Sequence, residues 1–238
     1  MAIVLPAQKN LILEKEQIIM RIVTLLRSLV SYNCVSLTLL ILVAASSVFS
    51  QAPTAPKSVV FGEKDREFAL KYLNDTKADY IKQLTGLSDA QLNFRSGEGR
   101  WTIAEIGEHI IVVEQALFGM VTAPTAAKTF KCEEVPRIVD TMLILSITNR
   151  GQKFTAPEQV RPNGRWKTKE DLIANFEKTR NATIDYIKNN KADLRSTFVQ
   201  SPMGTIDSFQ GILFLTGHAD RHLAQLKEVR ADAKYPAK

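Results

Sequence analysis

The chain has 238 residues, with 31 Lys and Arg against 25 Asp and Glu for a formal net charge of +6; 45% of residues are apolar and 24% charged. This balance excludes a disordered chain, a collagen-like repeat and a multi-span membrane protein, and it leaves enough apolar material for a core that folds unaided. Two cysteines exclude a disulfide-stapled scaffold, and a modest, unclustered positive charge gives no footprint for nucleic acid.

Residues 35–45 read VSLTLLILVAA, with Arg21 and Arg27 upstream and SSVFSQAPTAPK downstream. A basic lead, an apolar run of roughly 7–15 residues and a small-residue exit are the parts of a secretory signal. A membrane-spanning helix needs about 20 apolar residues. Residues 1–50 are therefore read as a signal segment ending at Ser50. Met20 is an alternative start, because the stretch before it is long and acidic for a leader. If retained, the same segment is an N-terminal anchor and the one membrane contact the sequence offers. Both readings place the domain outside the cytoplasm, periplasmic or secreted. Residues 51–61 form a Pro-containing linker, 62–231 the folded domain and 232–238 a tail. Cys132 is the one cysteine beyond the leader, and the acids that follow it disfavour a nucleophilic thiolate.

Beyond the linker the period is helical, with no sustained alternation of the kind strands need. The first helix is expected over about 63–86, with Phe68, Tyr72 or Leu73, Tyr80, Ile81 and Leu84 inward and Gly86 at its end. The second starts at a capping box, Thr102 to Glu105, with Trp101 placed to staple onto Ile106. Ile103, Ile106, Ile110, Val113 and Leu117 carry its buried stripe. A shorter helix runs from Pro136 to about Thr148, with Ile138, Met142 and Leu145 on one face. Residues 150–167 hold two prolines and two glycines and read as loop. The third long helix starts at Thr168 and runs to about Lys188, with Leu172, Phe176, Thr179, Thr183 and Ile187 inward. A loop with Pro202 and Gly204 leads to the last helix, which is capped by Asp207 and Gln210 and continues to about Arg230. The expected fold is all-α, a four-helix bundle with an additional short helix and long crossover loops.

The chain has three histidines: His109, His218 and His222. An i, i+4 pair stacks two rings on one helix face, which is how a helix offers two nitrogens to one metal. The residues between His218 and His222 lack the Glu of HExxH zinc enzymes. His109 borders the apolar stripe of the second long helix. Two readings stay open from spacing alone: a shared three-imidazole metal site, or histidines that each satisfy a local hydrogen bond.

The segment LTGLSDAQLNFRSGEGRWTIAEIGEHI, followed far downstream by GHADRHLAQLKEV, resembles the DinB-like superfamily. The shared pattern is a loop Trp, a capped helix with E-x-x-x-H and a last helix H-x-x-R-H-x-x-Q, here Trp101, Glu105, His109, His218, Arg221, His222 and Gln225. The resemblance covers about 62–231. It implies a four-helix bundle with a divalent transition metal (Zn, Ni or Fe) on three histidines. Such a site keeps a coordination position open, the catalytic rather than the structural type. Characterised relatives include metal-dependent transferases of small-molecule thiols, an isomerase that uses such a thiol, and proteins described as metal-dependent hydrolases. Bundles of this kind also often pair into homodimers.

Glu105 and Arg221 are the candidate catalytic side chains. Glu105, one turn before His109, is a candidate to orient a metal-binding ring or to act as general base on metal-bound water, although capping already explains it. Arg221 is a candidate anion holder or a partner for Glu105. The expected activity is hydrolysis of a small, unknown substrate. The alternatives are a metal-dependent thiol transferase and a non-enzymatic metal-binding bundle. Export weighs against thiol chemistry, because small thiols are kept reduced mainly inside the cell.

Overall fold

The computed structural model describes residues 60–123 and 138–237. The signal segment, most of the linker, Cys132 and the Pro136 lead-in all lie outside the described residues. Among the described residues the elements run α1 (Glu63–Leu84), α2 (Asp89–Leu92), α3 (Ile103–Thr122), α4 (Asp140–Thr148), a 3-10 turn (Glu158–Val160), α5 (Lys169–Asn189), β1 (Phe198–Ser201), β2 (Gly204–Asp207) and α6 (Ser208–Arg230).

Local chemistry sets the starts of the long helices. The Thr102 hydroxyl accepts from the Glu105 amide at 3.2 Å, and the Glu105 carboxylate accepts from the Thr102 amide at 2.7 Å. Asp207 and Gln210 repeat this reciprocal cap at α6, and Thr168 caps α5 through the Asp171 amide. Each satisfied end group spares a free amide that would otherwise weaken the first turn.

Helices α1, α3, α5 and α6 form the bundle. Each of α1 and α3 packs on both α5 and α6, and α4 packs on α6. Thus α1 lies diagonal to α3 and α5 diagonal to α6, while α3 and α5, consecutive in the chain, are packed neighbours. The stripes expected on α3 and α5 are buried as read. At Gly211 the α6 backbone passes close to α3; a Cβ there would stand 2.6 Å from Val121 Cγ2. A fully buried ion pair ties three helices together. Arg180 of α5 forks onto Glu114 of α3 at 2.7 Å through both Nε and Nη2, and it also donates to Leu73 O and Thr76 Oγ1 of α1. Arg195 gathers Asp65, Asp140 and Asp207, the acids at the starts of α1, α4 and α6.

Three expectations are corrected. The loop before the last helix contains a two-stranded antiparallel hairpin, with Phe198 opposite Asp207 and Ser201 opposite Gly204. Four-residue strands are too short for alternation to stand out, and packing of Phe198, Val199 and Ile206 into the core holds them. On α4, Met142 and Leu145 are exposed, while Leu143 and Ile147 face inward. That helix is apolar on nearly every side, so periodicity could not choose its face. Phe68 of α1 is likewise exposed, with Ala69 and Leu73 taking the buried positions. No described helix is long and apolar enough to cross a membrane.

Candidate metal centre

The cap at Thr102 sets the phase of α3, and two turns later His109 emerges among Ile106, Ile110 and Ile111, all fully buried. His109 is 3% exposed. On α6, His218 and His222 stand one turn apart, flanked by buried Ala219 and Leu223. Because α3 and α6 are packed neighbours, the three rings meet. Their centroids are 5.1 Å apart for His109 and His218, 4.7 Å for His109 and His222, and 4.5 Å for His218 and His222. One ring nitrogen from each lies within 4.8 Å of the other two. Nitrogens that share one ion bound at about 2.0–2.1 Å stand roughly 3–3.5 Å apart, inside that limit. The earlier histidine therefore turns toward its two distant companions.

Two tautomers follow from the partners. His109 Nδ1 lies 2.7 Å from the carbonyl of Val160, and His222 Nδ1 lies 2.8 Å from Gln225 Oε1. An oxygen acceptor requires Nδ1 to carry the proton, which leaves the Nε2 lone pair of each ring free to ligate. Neutrality is favoured as well. Burial pushes the His109 pKa down, against the pull of the Val160 carbonyl. Burial, then the neighbouring imidazoles and Arg221, push His218 well below the usual histidine range. Burial and His109 bring His222 down to about 3. Neutral imidazoles with accessible lone pairs are the protonation state that metal binding requires.

Trp101 roofs the cluster, its ring 4.7 Å from that of His109 and 6.4 Å from that of His222. Trp101, expected as a staple, packs against the core cluster that includes Ile106 and also meets the imidazoles. Trp101 and Gln225 also line a polar cleft of about 170 Å³ with Ser96, Arg100, Arg150 and Glu228. Arg150 and Glu228 hold each other through two bonds of 2.6 and 2.8 Å.

Glu105 and Arg221 have other employment. The Glu105 oxygens accept from the Thr102 amide and from Arg95 Nη2, so its ion-pair partner is Arg95 and not Arg221. The Arg221 guanidinium donates to the carbonyls of Ile147, Asn149 and Gln152, closing the end of α4. The sequence reading missed the Val160 carbonyl and Glu108. A backbone carbonyl leaves no signature in sequence. Glu108 had a faint one, an acid set among buried isoleucines.

The DinB superfamily model matches residues 72–226. No curated protein matches the chain. Among solved structures it is similar to YfiT from Bacillus subtilis, described as "a probable metal-dependent hydrolase with an unusual four-helix bundle topology", at 11% identity and a TM-score of 0.47, over 78% of this chain and 97% of YfiT. With its paired histidine-bearing helices and a family match over most of its folded region, the chain belongs to the DinB superfamily.

Proposed function

We propose that this chain is an exported metal-dependent hydrolase of a small polar molecule, with His109, His218 and His222 as the ligands of one divalent transition ion. The observation that carries the reading is the meeting of three imidazoles whose nitrogens lie within 4.8 Å of one another. The donor set fits: two of the three rings are held with Nδ1 protonated and Nε2 free. All-imidazole ligation suits Zn, Ni or Fe. An ion on three such nitrogens keeps at least one coordination position open and supplies Lewis acidity there.

The chain's own groups do the rest. Val160 and Gln225 fix two rings, which lowers the entropy lost on binding an ion. Trp101 shields one side of the cluster from water. The adjoining cleft offers Arg100, Arg150, Glu228 and Asp232 to a polar substrate. Glu105 and Arg221 are assigned no proton or charge step, because their polar atoms are committed to the α3 cap and the α4 end. The exported location rests on the sequence of residues 1–50 alone.

The test is turnover of a panel of small esters and amides by protein loaded with zinc, nickel or iron. Hydrolysis that needs the ion, needs no added thiol and disappears in His109→Ala is expected. Turnover that requires a thiol would make the protein a transferase. Bound metal without turnover, combined with unfolding on chelation, would make the site structural.

A further inference from the structure

We propose that Glu108 is the positioning residue of the histidine centre: it anchors the loop over α3 and so fixes the carbonyl that sets the orientation and tautomer of His109. The inference rests on the reading of the three histidines as metal ligands.

Glu108 precedes His109 on α3 and is 2% exposed. A buried carboxylate is costly unless its oxygens are satisfied, and here the backbone satisfies them. Oε1 accepts from the Asn163 amide at 2.9 Å, and Oε2 accepts from Gly164 at 2.9 Å and from Arg165 at 3.1 Å. Three successive amides turned onto one anion form a nest. Gly164 sits at φ +79°, a conformation that side-chain-bearing residues rarely adopt. The Arg165 side chain adds a longer contact, 3.4 Å to Oε1. Only Arg161 and Pro162 join this nest to Val160, and Pro162 stiffens that short link through its fixed φ. Val160 in turn gives its carbonyl to His109 Nδ1 at 2.7 Å. Adjacent residues of one helix therefore grip the same loop, Glu108 from the nest side and His109 from the carbonyl side. Among the described residues the Glu108 carboxylate is what the three amides bond, so without it the carbonyl is free to leave the ring.

The experiment reads the imidazole nitrogens of the metal-free full chain by long-range proton–nitrogen NMR and zinc affinity by chelator competition. In the wild type, His109 and His222 are both expected as the Nδ1–H tautomer. In Glu108→Gln, the amide nitrogen opposes backbone donors. His109 should then populate Nε2–H, His222 should stay unchanged as the internal reference, and zinc should bind about 10–100-fold more weakly. Gly164→Ala attacks the nest from the loop side and should move His109 the same way; it carries the test if Glu108→Gln does not fold. Arg165→Ala keeps the backbone bonds and should leave the His109 tautomer alone. A His109 that remains Nδ1–H in folded Glu108→Gln or Gly164→Ala would overturn the proposal. Failure of the wild type to bind zinc or any other divalent ion would instead defeat the metal reading, leaving the tautomer result to decide the role of Glu108 separately.

Discussion

Glu114→Gln probes the interaction that ties α1, α3 and α5 together. The Arg180 and Glu114 side chains are 0% and 1% exposed. Glu114 takes both short guanidinium bonds and a further contact from Thr183 at 3.3 Å. The substitution keeps shape and removes charge. Arg180 then remains buried with neutral partners only, Leu73 O, Thr76 Oγ1 and the new amide. Breaking one side of such a pair costs about 3–5 kcal/mol. For a domain of this size each kcal/mol moves the midpoint by about 2–4 °C, so Tm should fall by roughly 6–20 °C. Replacing both residues, as Glu114→Leu with Arg180→Met, removes the stranded charge and should return the protein to within about 2 kcal/mol of wild type. Thr76 and Thr183 keep bonds to carbonyls of their own helices in that variant. Urea unfolding and thermal melts followed by circular dichroism measure all of these. A loss below about 1 kcal/mol in Glu114→Gln, or a double variant as unstable as the two singles added together, would refute the reasoning.

Tyr80 is fully buried and stacked on Phe176 at 3.9 Å, and its hydroxyl has no partner among the described residues. Tyr80→Phe should therefore gain about 1 kcal/mol in urea unfolding, and a comparable loss would reveal a partner for the hydroxyl. Gly211→Ala should cost about 1–3 kcal/mol because its Cβ would meet Val121 at 2.6 Å. Gly119→Ala on α3 meets nothing within 4 Å and should stabilise by up to about 1 kcal/mol. For metal-free protein, the His222 pKa of about 3 lies below the ordinary histidine value of 6.5. The unfolded chain thus takes up this proton first on acidification. The stability held above pH 6.5 is lost as pH falls toward about 3, at about 1.4 kcal/mol per unit for this ring. His222→Gln should make the dependence shallower by one proton, and an unchanged slope would contradict the assignment.

Where a helix has sharp polar and apolar faces, its sequence was enough to orient it. The isoleucine stripe of α3 and the Leu172, Phe176 and Ile187 stripe of α5 are buried as their spacing requires. The caps at Thr102 and Asp207 were equally readable, since capping depends on residues within one turn. Orientation failed on α4, where Met142 and Leu145 are as apolar as the buried Leu143 and Ile147. The hairpin escaped because tertiary packing rather than a long alternating pattern stabilises it. At the site, spacing and family resemblance named the three imidazoles. They did not separate Glu105 from Glu108. Both acids precede His109, but one closes a helix end and the other binds loop amides far along the chain. The partners of Arg221 were illegible for a similar reason: the carbonyls it serves belong to α4 and the loop beyond, whose approach to α6 is a tertiary fact.

The most direct measurement is the divalent-metal content of the purified full chain beside that of the His109→Gln, His218→Gln, His222→Gln triple variant, with circular dichroism to establish that both are folded. The account predicts one ion per wild-type chain, removable by chelator and restored by zinc, nickel or iron, and none in the variant. A folded wild type that binds no divalent ion, or a triple variant that holds it equally well, would contradict the convergence of these imidazoles as a metal centre.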